Sequence, residues 1–436
     1  MTGKDRGGPG SNQAEIFRFL VFFLCFLAAG SVLFAQTGEE DPLVLKLAVI
    51  GPGDELYFWW GHIGLIVEDS ERGTARFYDW GVFSFENENF FVNFALGRLI
   101  YACMATPEEW NLGNYIATNR DITLYTLDLP ASTKQEMRAF AEWNVLPENR
   151  DYFYHHFKDN CSTRIRDILD TALDGQFKAL YGEAPGRYTL RQHVRRHTWF
   201  NPFFDWALNF WMGQDIDTPV TVWEEMFLPA EVGSRIAEFS YTGPDGRERK
   251  LVRAVETMNR ASGRPPVLDA PRRQWPAELA LGLVIALVMG ALLFRARGGG
   301  AAQTAWALAQ GALGLFFGVM GLILFFMTFF TNHDYTWHNS NVIFVNPLLL
   351  AALPLGIALV KTDYSDKKAK LELAIKILWS YVLVFGLLSF LLRLLPFFWQ
   401  QNQVTLALVL PFAAVLSLLP ELAGSMLREY FWRWIG

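Results

Sequence analysis

Hydrophobic and polar residues follow two different patterns along this chain, and the pattern changes near residue 270. Before the change, alternating apolar and polar residues predict short strands, at 43–50, 63–68, 76–85 and 122–129. After it come five continuous apolar runs, at 276–294, 303–331, 342–360, 372–395 and 404–427. Each run is long enough to cross a bilayer of about 30 Å as a helix. The pattern predicts an α+β domain at 37–270, followed by an all-α bundle of five transmembrane helices at 271–436.

The second and third predicted strands are joined by a polar, turn-rich segment at 69–73, which predicts a β-hairpin. This arrangement places His62 at the open end of the first of these two strands. Folding back about the turn brings residues 79–82 near His62. Asp79 is therefore the carboxylate best placed to contact that imidazole.

Three segments are predicted to be helices. Residues 132–143 begin with Ser132 as a predicted N-cap, and Gln135 would complete a capping box. A second helix follows Asp159 and Asn160, which are good N-cap residues, so Cys161 would lie in its first turn. The aromatic segment 201–213 has two open interpretations, a core helix or an interfacial, acyl-chain-binding helix.

Charged residues predict how the chain is oriented. An apolar stretch at 17–35 with Lys4, Arg6 and Arg18 around it is typical of a signal peptide or an uncleaved signal anchor within 1–36. Lys and Arg follow the first, third and fifth apolar runs, whereas the loops 333–341 and 399–403 contain neither. By the positive-inside rule, the basic loops are cytoplasmic. We expect a multi-pass protein of the cytoplasmic membrane with the 37–270 domain and these two loops on its outer face.

Composition agrees with a membrane partner, because 52% of the residues are hydrophobic. The net charge is −6 and no dense basic tract is present, which argues against nucleic acid as a partner.

Cys161 has three possible roles from its sequence context. A thiol at a helix N-terminus is favoured as thiolate, and with His62 as base and Asp79 orienting the imidazole it would be a nucleophile. A structural disulfide with Cys103 is the second possibility, since these two cysteines remain if the signal is removed. A zinc site with His62 and either His155 or His156 is the third, although no short ligand spacing supports it. The helix-start position favours the nucleophile.

Other polar residues are candidates for binding. Asn160 and Arg164 adjoin Cys161, and the loop 332–341 carries three further candidates, His333, His338 and Asn341. That loop is either part of a substrate site or a plain interfacial loop with aromatic residues. The basic segment 191–197, which contains His193 and His197, is expected to be solvated or to touch phosphate headgroups.

These motifs resemble a known family. The segment 60–65 (Trp-Gly-His-Ile-Gly-Leu), followed by 159–164 (Asp-Asn-Cys-Ser-Thr-Arg), is similar to circularly permuted papain-like, NlpC/P60-related thiol enzymes. With segments 77–83, 227–229 and 341–348 and five apolar spans, the chain resembles the bacterial Lnb-type lipoprotein N-acyltransferases more closely. The resemblance implies a periplasmic papain-like domain on the inner membrane, with Cys161 as acyl-accepting nucleophile, His62 as base and Asp79 as its orienting group.

The resemblance also implies substrates. A membrane phospholipid would donate the acyl chain, and the N-terminal amine of a diacylglyceryl lipoprotein would accept it, without ATP, acyl-CoA or a metal as cofactor. Two alternatives remain open. One is a periplasmic cysteine peptidase or amidase, and the other is a non-catalytic, lipid-binding envelope protein with a Cys103–Cys161 disulfide.

Overall fold

The structure, a computed structural model, describes residues 41–83, 89–296 and 299–417. The predicted signal segment at 1–36 lies outside the described residues. Nine strands lie within them: Leu43–Ile50 (β1), His62–Asp69 (β2), Thr74–Val82 (β3), Ile100–Pro107 (β4), Ile122–Leu127 (β5), Asp151–Phe153 (β6), Ser240–Thr242 (β7), Glu248–Lys250 (β8) and Val252–Asn259 (β9). Seven of these strands form one antiparallel sheet in the order β6-β4-β3-β2-β1-β5-β9, and β7 pairs with β8.

The four strands predicted from alternation are present. Strand β1 has the predicted bounds, and β5 ends two residues before the predicted end. Strands β2 and β3 form the predicted hairpin, in a register that places Gly64 opposite Asp79. The hairpin thus brings 79–82 beside His62, as its turn predicted.

The helices before the membrane region are short, and they are Phe90–Ala95 (α1), Glu108–Ala117 (α2), Ala131–Asn144 (α3), Cys161–Ala172 (α4), Gln176–Tyr181 (α5), Leu190–Thr198 (α6), Pro202–Trp211 (α7), Val222–Glu225 (α8) and Pro229–Glu238 (α9). Helix α4 packs against the sheet, because Ile165 and Leu169 share one apolar core with Ile63 and Leu65 of β2. Burial of these side chains, at about 1.5–3 kcal/mol each, holds the N-terminus of α4 against the end of β2.

The predicted cap of α3 is wrong. The helix begins at Ala131, and the Lys134 N–H donates to the carbonyl of Pro130 at 3.0 Å. Pro130 therefore occupies the N-cap position, where its missing N–H costs nothing. Ser132 lies inside the first turn and caps nothing.

Four of the described helical segments are long and apolar enough to cross a bilayer. They are Trp275–Ala296 (α10), Gly300–Phe330 (α11), the segment Ser340–Lys361, which ends in Ala352–Lys361 (α12), and Ser365–Leu392 (α13). The fifth predicted span is described as the apolar helix Gln403–Ser417 (α14), and the rest of that prediction lies outside the described residues.

Helix α7 packs into the hydrophobic core of the apolar helices. Trp206 and Phe210 of α7 belong to the same buried cluster as Phe317 of α11. Gly213, just after α7, lies so close to the loop 333–341 that an added Cβ would clash with the Trp337 carbonyl oxygen. Helix α7 is therefore a core helix of the junction between the two parts.

Both loops that lack Lys and Arg contact the sheet domain. The Gly213 N–H donates to the carbonyl of Tyr335 at 2.8 Å. Gln400 Nε2 donates to the carbonyl of Met212 at 3.0 Å, and the Gln401 N–H donates to Asp217 at 2.9 Å. These contacts place both loops on the side of the sheet domain, in agreement with the predicted orientation.

Candidate functional site

The first turn of α4 is held by Asn160, its N-cap. Asn160 Oδ1 accepts hydrogen bonds from the N–H groups of Ser162 at 2.9 Å and Thr163 at 3.0 Å, and Thr163 Oγ1 accepts from the Asn160 N–H at 2.8 Å. Asn160 Nδ2 donates to the carbonyls of His156 and Phe227. The capping prediction is confirmed, and the Asn160 amide is occupied within the protein at both ends.

The structure brings Cys161, His62 and Asp79 together. The Cys161 thiol lies beside His62 and the backbone of Ile63, and its Sγ is 3.9 Å from Ser162 Oγ. His62 Nε2 donates to Asp79 Oδ1 at 2.8 Å, and these two side chains are 13% and 15% exposed. Cys161 is 8% exposed. A thiol, an imidazole and a carboxylate therefore lie next to one another in a site that is nearly closed to solvent.

Electrostatics favours an ion pair between the thiol and the imidazole. Burial raises the pKa of Cys161, but the charge and hydrogen bond of His62 outweigh it, so the pKa lies below its ordinary value. Burial lowers the pKa of His62, but the charge of Asp79 and smaller effects of Tyr115 and Cys161 raise it well above its ordinary value. Opposite shifts in one contact favour thiolate and imidazolium.

A glycine makes room for the imidazole. At Gly81, on the strand next to His62, an added Cβ would lie 2.9 Å from His62 Cε1 and 3.4 Å from Asp79 Oδ1. The same strand thus carries Asp79, which bonds His62, and Gly81, whose missing side chain leaves room for the His62 ring.

The structure supports neither the disulfide nor the zinc site that were the alternative roles of Cys161. Cys103 and Cys161 are both free thiols, and burial raises the pKa of Cys103 to about 12. Among the described residues, no group of three or more His, Cys, Asp or Glu could hold a metal ion. His155 is instead bonded to Asp334 through Nε2 at 2.7 Å, so it does not join His62 and Cys161.

The other predicted binding residues are engaged in contacts within the protein. Arg164 donates two hydrogen bonds to Asp159 and stacks on the Tyr152 ring at 3.7 Å. His333 contacts the Phe94 carbonyl at 3.0 Å through Nε2 and the Tyr335 hydroxyl at 2.8 Å through Nδ1. None of these contacts brings the two side chains to the Cys161 sulfur.

The last two predicted residues lie at the junction with the apolar helices. His338 is exposed and pairs with Asp215 at 2.9 Å. Asn341 is buried, donates to the Phe210 carbonyl at 2.9 Å and accepts from Asn402 at 3.2 Å. These contacts tie the loop 333–341 to α7 and α14, which is a structural role.

The expectation that the basic segment 191–197 is solvated is wrong. His193 is fully buried and bonds Glu225 at 2.9 Å, and Arg196 bonds Glu231 at 3.1 Å. Both carboxylates lie more than 30 residues further along the chain. The residues around α6 therefore do not reveal that its basic side chains are paired.

Aromatic residues near Cys161 were not singled out from the sequence. Tyr154 stacks on Tyr101 at 4.0 Å, and burial together with the Cys161 thiol, Tyr101 and Tyr335 raises its pKa. From there a line of rings leads to the exposed aromatic face of α1, where Phe91 is 71% exposed. Neighbouring centroids are 4.0 to 5.9 Å apart along Tyr154, Tyr101, Phe83 and Phe90. In the sequence, the density of aromatic residues at 90–101 and 152–154 is the feature that could have indicated this line of rings.

One amide at the site is left for a ligand. The N–H groups of Ser162, Thr163 and Arg164 all donate to Asn160. The Cys161 N–H has no hydrogen-bond partner within the described part of the chain. Among the amides of the first turn of α4, that of Cys161 is therefore the one available to hold an oxyanion.

Comparison with known proteins gives one match. A family model described as the Lnb N-terminal periplasmic domain matches residues 37–196, a stretch that includes His62, Asp79 and Cys161. The apolar helices lie beyond this match. No curated protein and no solved structure matches the chain.

Proposed function

Because residues 37–196 form an N-terminal periplasmic domain of the Lnb family, we propose that the chain is a lipoprotein N-acyltransferase. It moves an acyl chain from a membrane phospholipid, through a thioester on Cys161, to the N-terminal amine of a diacylglyceryl lipoprotein. The observation that carries the proposal is the meeting of Cys161, His62 and Asp79 in one site, in a domain packed against apolar helices of membrane-spanning length.

In the first half-reaction, the Cys161 thiolate attacks the carbonyl carbon of a phospholipid ester. A C–S bond forms, the ester C–O bond breaks, and the imidazolium of His62 gives its proton to the departing lysophospholipid oxygen. The Cys161 N–H is the amide free to donate to the tetrahedral oxyanion. Asp79 accepts from Nε2, which leaves Nδ1 of His62 as the nitrogen that exchanges the proton.

In the second half-reaction, the neutral α-amine of the lipoprotein attacks the thioester, and neutral His62 takes the one proton that the amine nitrogen loses. The amine nitrogen forms an amide bond with the thioester carbon, and the Cys161 thiolate leaves. The same imidazole thus serves as acid in one half and as base in the other. Neither half-reaction oxidises or reduces any group.

The route for the acyl chain is the line of rings from α1 to Tyr154. Its outer end is apolar and exposed, and α1 is tied to the segment after α11 by a hydrogen bond from Asn332 N–H to the Leu96 carbonyl at 2.9 Å. A lipid leaving the bilayer beside α11 therefore meets an apolar path that leads toward Cys161. Tethering the site to helices of the bilayer also raises the effective concentration of both lipid-anchored substrates.

Mass spectrometry of lipoprotein N-terminal peptides is the direct test. Cells that carry the intact protein are expected to contain N-acylated lipoproteins, and cells that lack it or carry Cys161→Ser are expected to accumulate the free-amine form. Cys103→Ser is the matched control and is expected to retain acylation. If acylation is unchanged without the protein, the proposal fails, and Cys161-dependent cleavage of peptides would then favour a cysteine peptidase.

A further inference from the structure

A cleft separate from the cysteine site lies where α6 meets the outer ends of the apolar helices. Its walls come from α6, from the segment that enters α10 and from the segment that enters α14. Its volume is about 230 Å³. Sites for whole drug-sized ligands commonly occupy about 300–1,000 Å³, so this smaller space suits a phosphate headgroup and not an entire lipid.

The chemistry of the walls is cationic. Arg195, Arg272 and Arg273 line the cleft, and glutamines at 192, 274, 401 and 403 supply further side-chain amide donors. Among the described residues that line it, none is Asp or Glu. Arginine binds phosphate oxygens through two parallel N–H donors, so this set suits a phosphodiester.

Arg195 is a buried guanidinium whose hydrogen bonds are incomplete. It is 6% exposed, its Nη2 donates to the Arg272 carbonyl at 2.7 Å and to Gln274 Oε1 at 3.3 Å, and its Nε has no hydrogen-bond partner among the described residues. Its counter-ion is Asp205, which lies 3.8 Å from that Nε and accepts a hydrogen bond from Thr198 at 2.5 Å. A buried cation with so long an ion pair is costly, and an anionic ligand would offset part of that cost.

Arg191, one turn earlier on α6, has a structural role and can be compared with Arg195. It is fully buried, and its Nε donates to Asp217 while both Nη atoms donate to Asn209, Met212 and Gly213. The same helix therefore carries one arginine whose donors are satisfied by the protein and one that lines an open cleft.

The position of the cleft identifies the source of the phosphate. Arg272 and Arg273 are exposed and lie three and two residues before Trp275, the first residue of α10. Tryptophan at a helix end is typical of the headgroup level of a bilayer. An ammonium-bearing headgroup would bring another cation among three arginines, so an uncharged remainder on the phosphodiester fits better.

We propose that this cleft binds the phosphodiester of an anionic phospholipid from the outer leaflet. The inference rests on the proposed function only in placing these helix ends in a bilayer, and it does not require that the bound lipid be the acyl donor. A lipid held here would fix the junction of the sheet domain and the helices at the membrane surface.

The test is lipid retention by the full-length Cys161→Ser protein in an uncharged detergent, measured by native mass spectrometry. Phosphatidylglycerol is expected to bind about tenfold more tightly than phosphatidylcholine or inorganic phosphate, and high salt is expected to weaken it. Changing Arg272 and Arg273 together to Gln is expected to weaken binding at least about tenfold. Arg195→Gln is expected to act in the same direction.

The control removes two exposed arginines elsewhere on the domain, Arg247→Gln with Arg253→Gln, and is expected to leave binding unchanged. Equal losses in the two double variants, or equal binding of the two lipids, would overturn the cleft as a specific site. Equally tight binding of inorganic phosphate would overturn its assignment to a lipid. Acyl transfer is measured separately with Cys161 intact. A failure of the proposed function therefore does not change the result of the binding test.

Discussion

His62 Nε2 lies 2.8 Å from Asp79 Oδ1, although 17 residues separate them along the chain. The contact follows from the hairpin register, which pairs Gly64 with Asp79 and leaves Gly81 beside the ring. Because Asp79 holds one nitrogen of the imidazole, the other is directed to the proton chemistry of Cys161. The reactivity of Cys161 should therefore depend on residues of both hairpin strands.

Alkylation of Cys161 by iodoacetamide should continue below the pH at which an ordinary thiol, with a pKa of about 8.5, stops reacting. The reason is the lowered pKa of Cys161, where His62 outweighs the effect of burial. His62→Gln removes the imidazolium and should move the inflection of alkylation rate to higher pH. Mass spectrometry of the alkylated peptide separates Cys161 from Cys103, and an identical profile in His62→Gln would contradict the ion pair.

Asp79→Asn should reduce acyl transfer by roughly 10² to 10⁴, because the imidazole loses its charged partner. The thiolate–imidazolium pair exists between the lowered pKa of Cys161 and the raised pKa of His62, so activity falls below the first and above the second. Loss of the Asp79 charge lowers the pKa of His62, and the alkaline limb should move to lower pH. Asp174→Asn, at an exposed position, is the control and should leave the whole pH profile in place.

Gly81→Ala should disturb the site without removing any functional group. The new Cβ would lie 2.9 Å from His62 Cε1, so the ring must shift. A displacement of about 1 Å can cost about 10² in rate, which is the loss expected in acyl-transfer assays. Gly113→Ala, where nothing lies within 4 Å of the added Cβ, should retain full activity. Full activity in Gly81→Ala as well would show that the ring has room to move.

Asn160→Ala should destabilise the fold by about 1 kcal/mol or more, since the N-cap hydrogen bonds to Ser162 and Thr163 disappear. Thermal unfolding followed by tryptophan fluorescence measures the shift. Thr189→Ala, which removes the cap of α6, should destabilise by a similar amount. Only Asn160→Ala should also slow alkylation of Cys161. Equal alkylation rates in the two variants would show that the N-cap of α4 does not influence the reactivity of the thiol.

Asp334→Asn should loosen the loop that follows α11 from the sheet domain. Burial raises the pKa of Asp334, but hydrogen bonds from His155 and Lys158 more than offset it, so the carboxyl is ionised well below its usual range. A lowered folded-state pKa contributes stability above the unfolded value and loses it as pH falls through the folded one. Hydrogen exchange at 331–338 should be faster in the variant at neutral pH. In the native protein, acid should lower the protection of these amides relative to their intrinsic exchange rates.

Asp215→Asn is the matched control for that experiment, because Asp215 pairs with exposed His338 of the same loop. An exposed pair contributes little, so its loss should leave exchange at 331–338 nearly unchanged. If the two variants exchange alike, the pairing of His155 and Lys158 with Asp334 does not anchor the loop.

Local patterns in the sequence determined the hairpin, the capped helix that starts at Cys161 and the apolar segments of membrane-spanning length. Each of these depends on residues close together in the chain, where alternation, N-cap chemistry and continuous apolar runs have direct physical consequences. The candidate roles of His62, Asp79 and Cys161 came from the same local signals and from the resemblance to a family.

Only the tertiary structure decided which of the candidates meet and which charges are buried. It placed His62 against Cys161, bonded His155 to Asp334, and enclosed Arg191 and His193, which their sequence context had indicated were solvated. The partners in these contacts come from distant segments, such as Asp217 and Glu225 opposite α6. Burial of a charge depends on whether a counter-charge arrives from elsewhere in the fold, and the residues next to it in the chain do not carry that information.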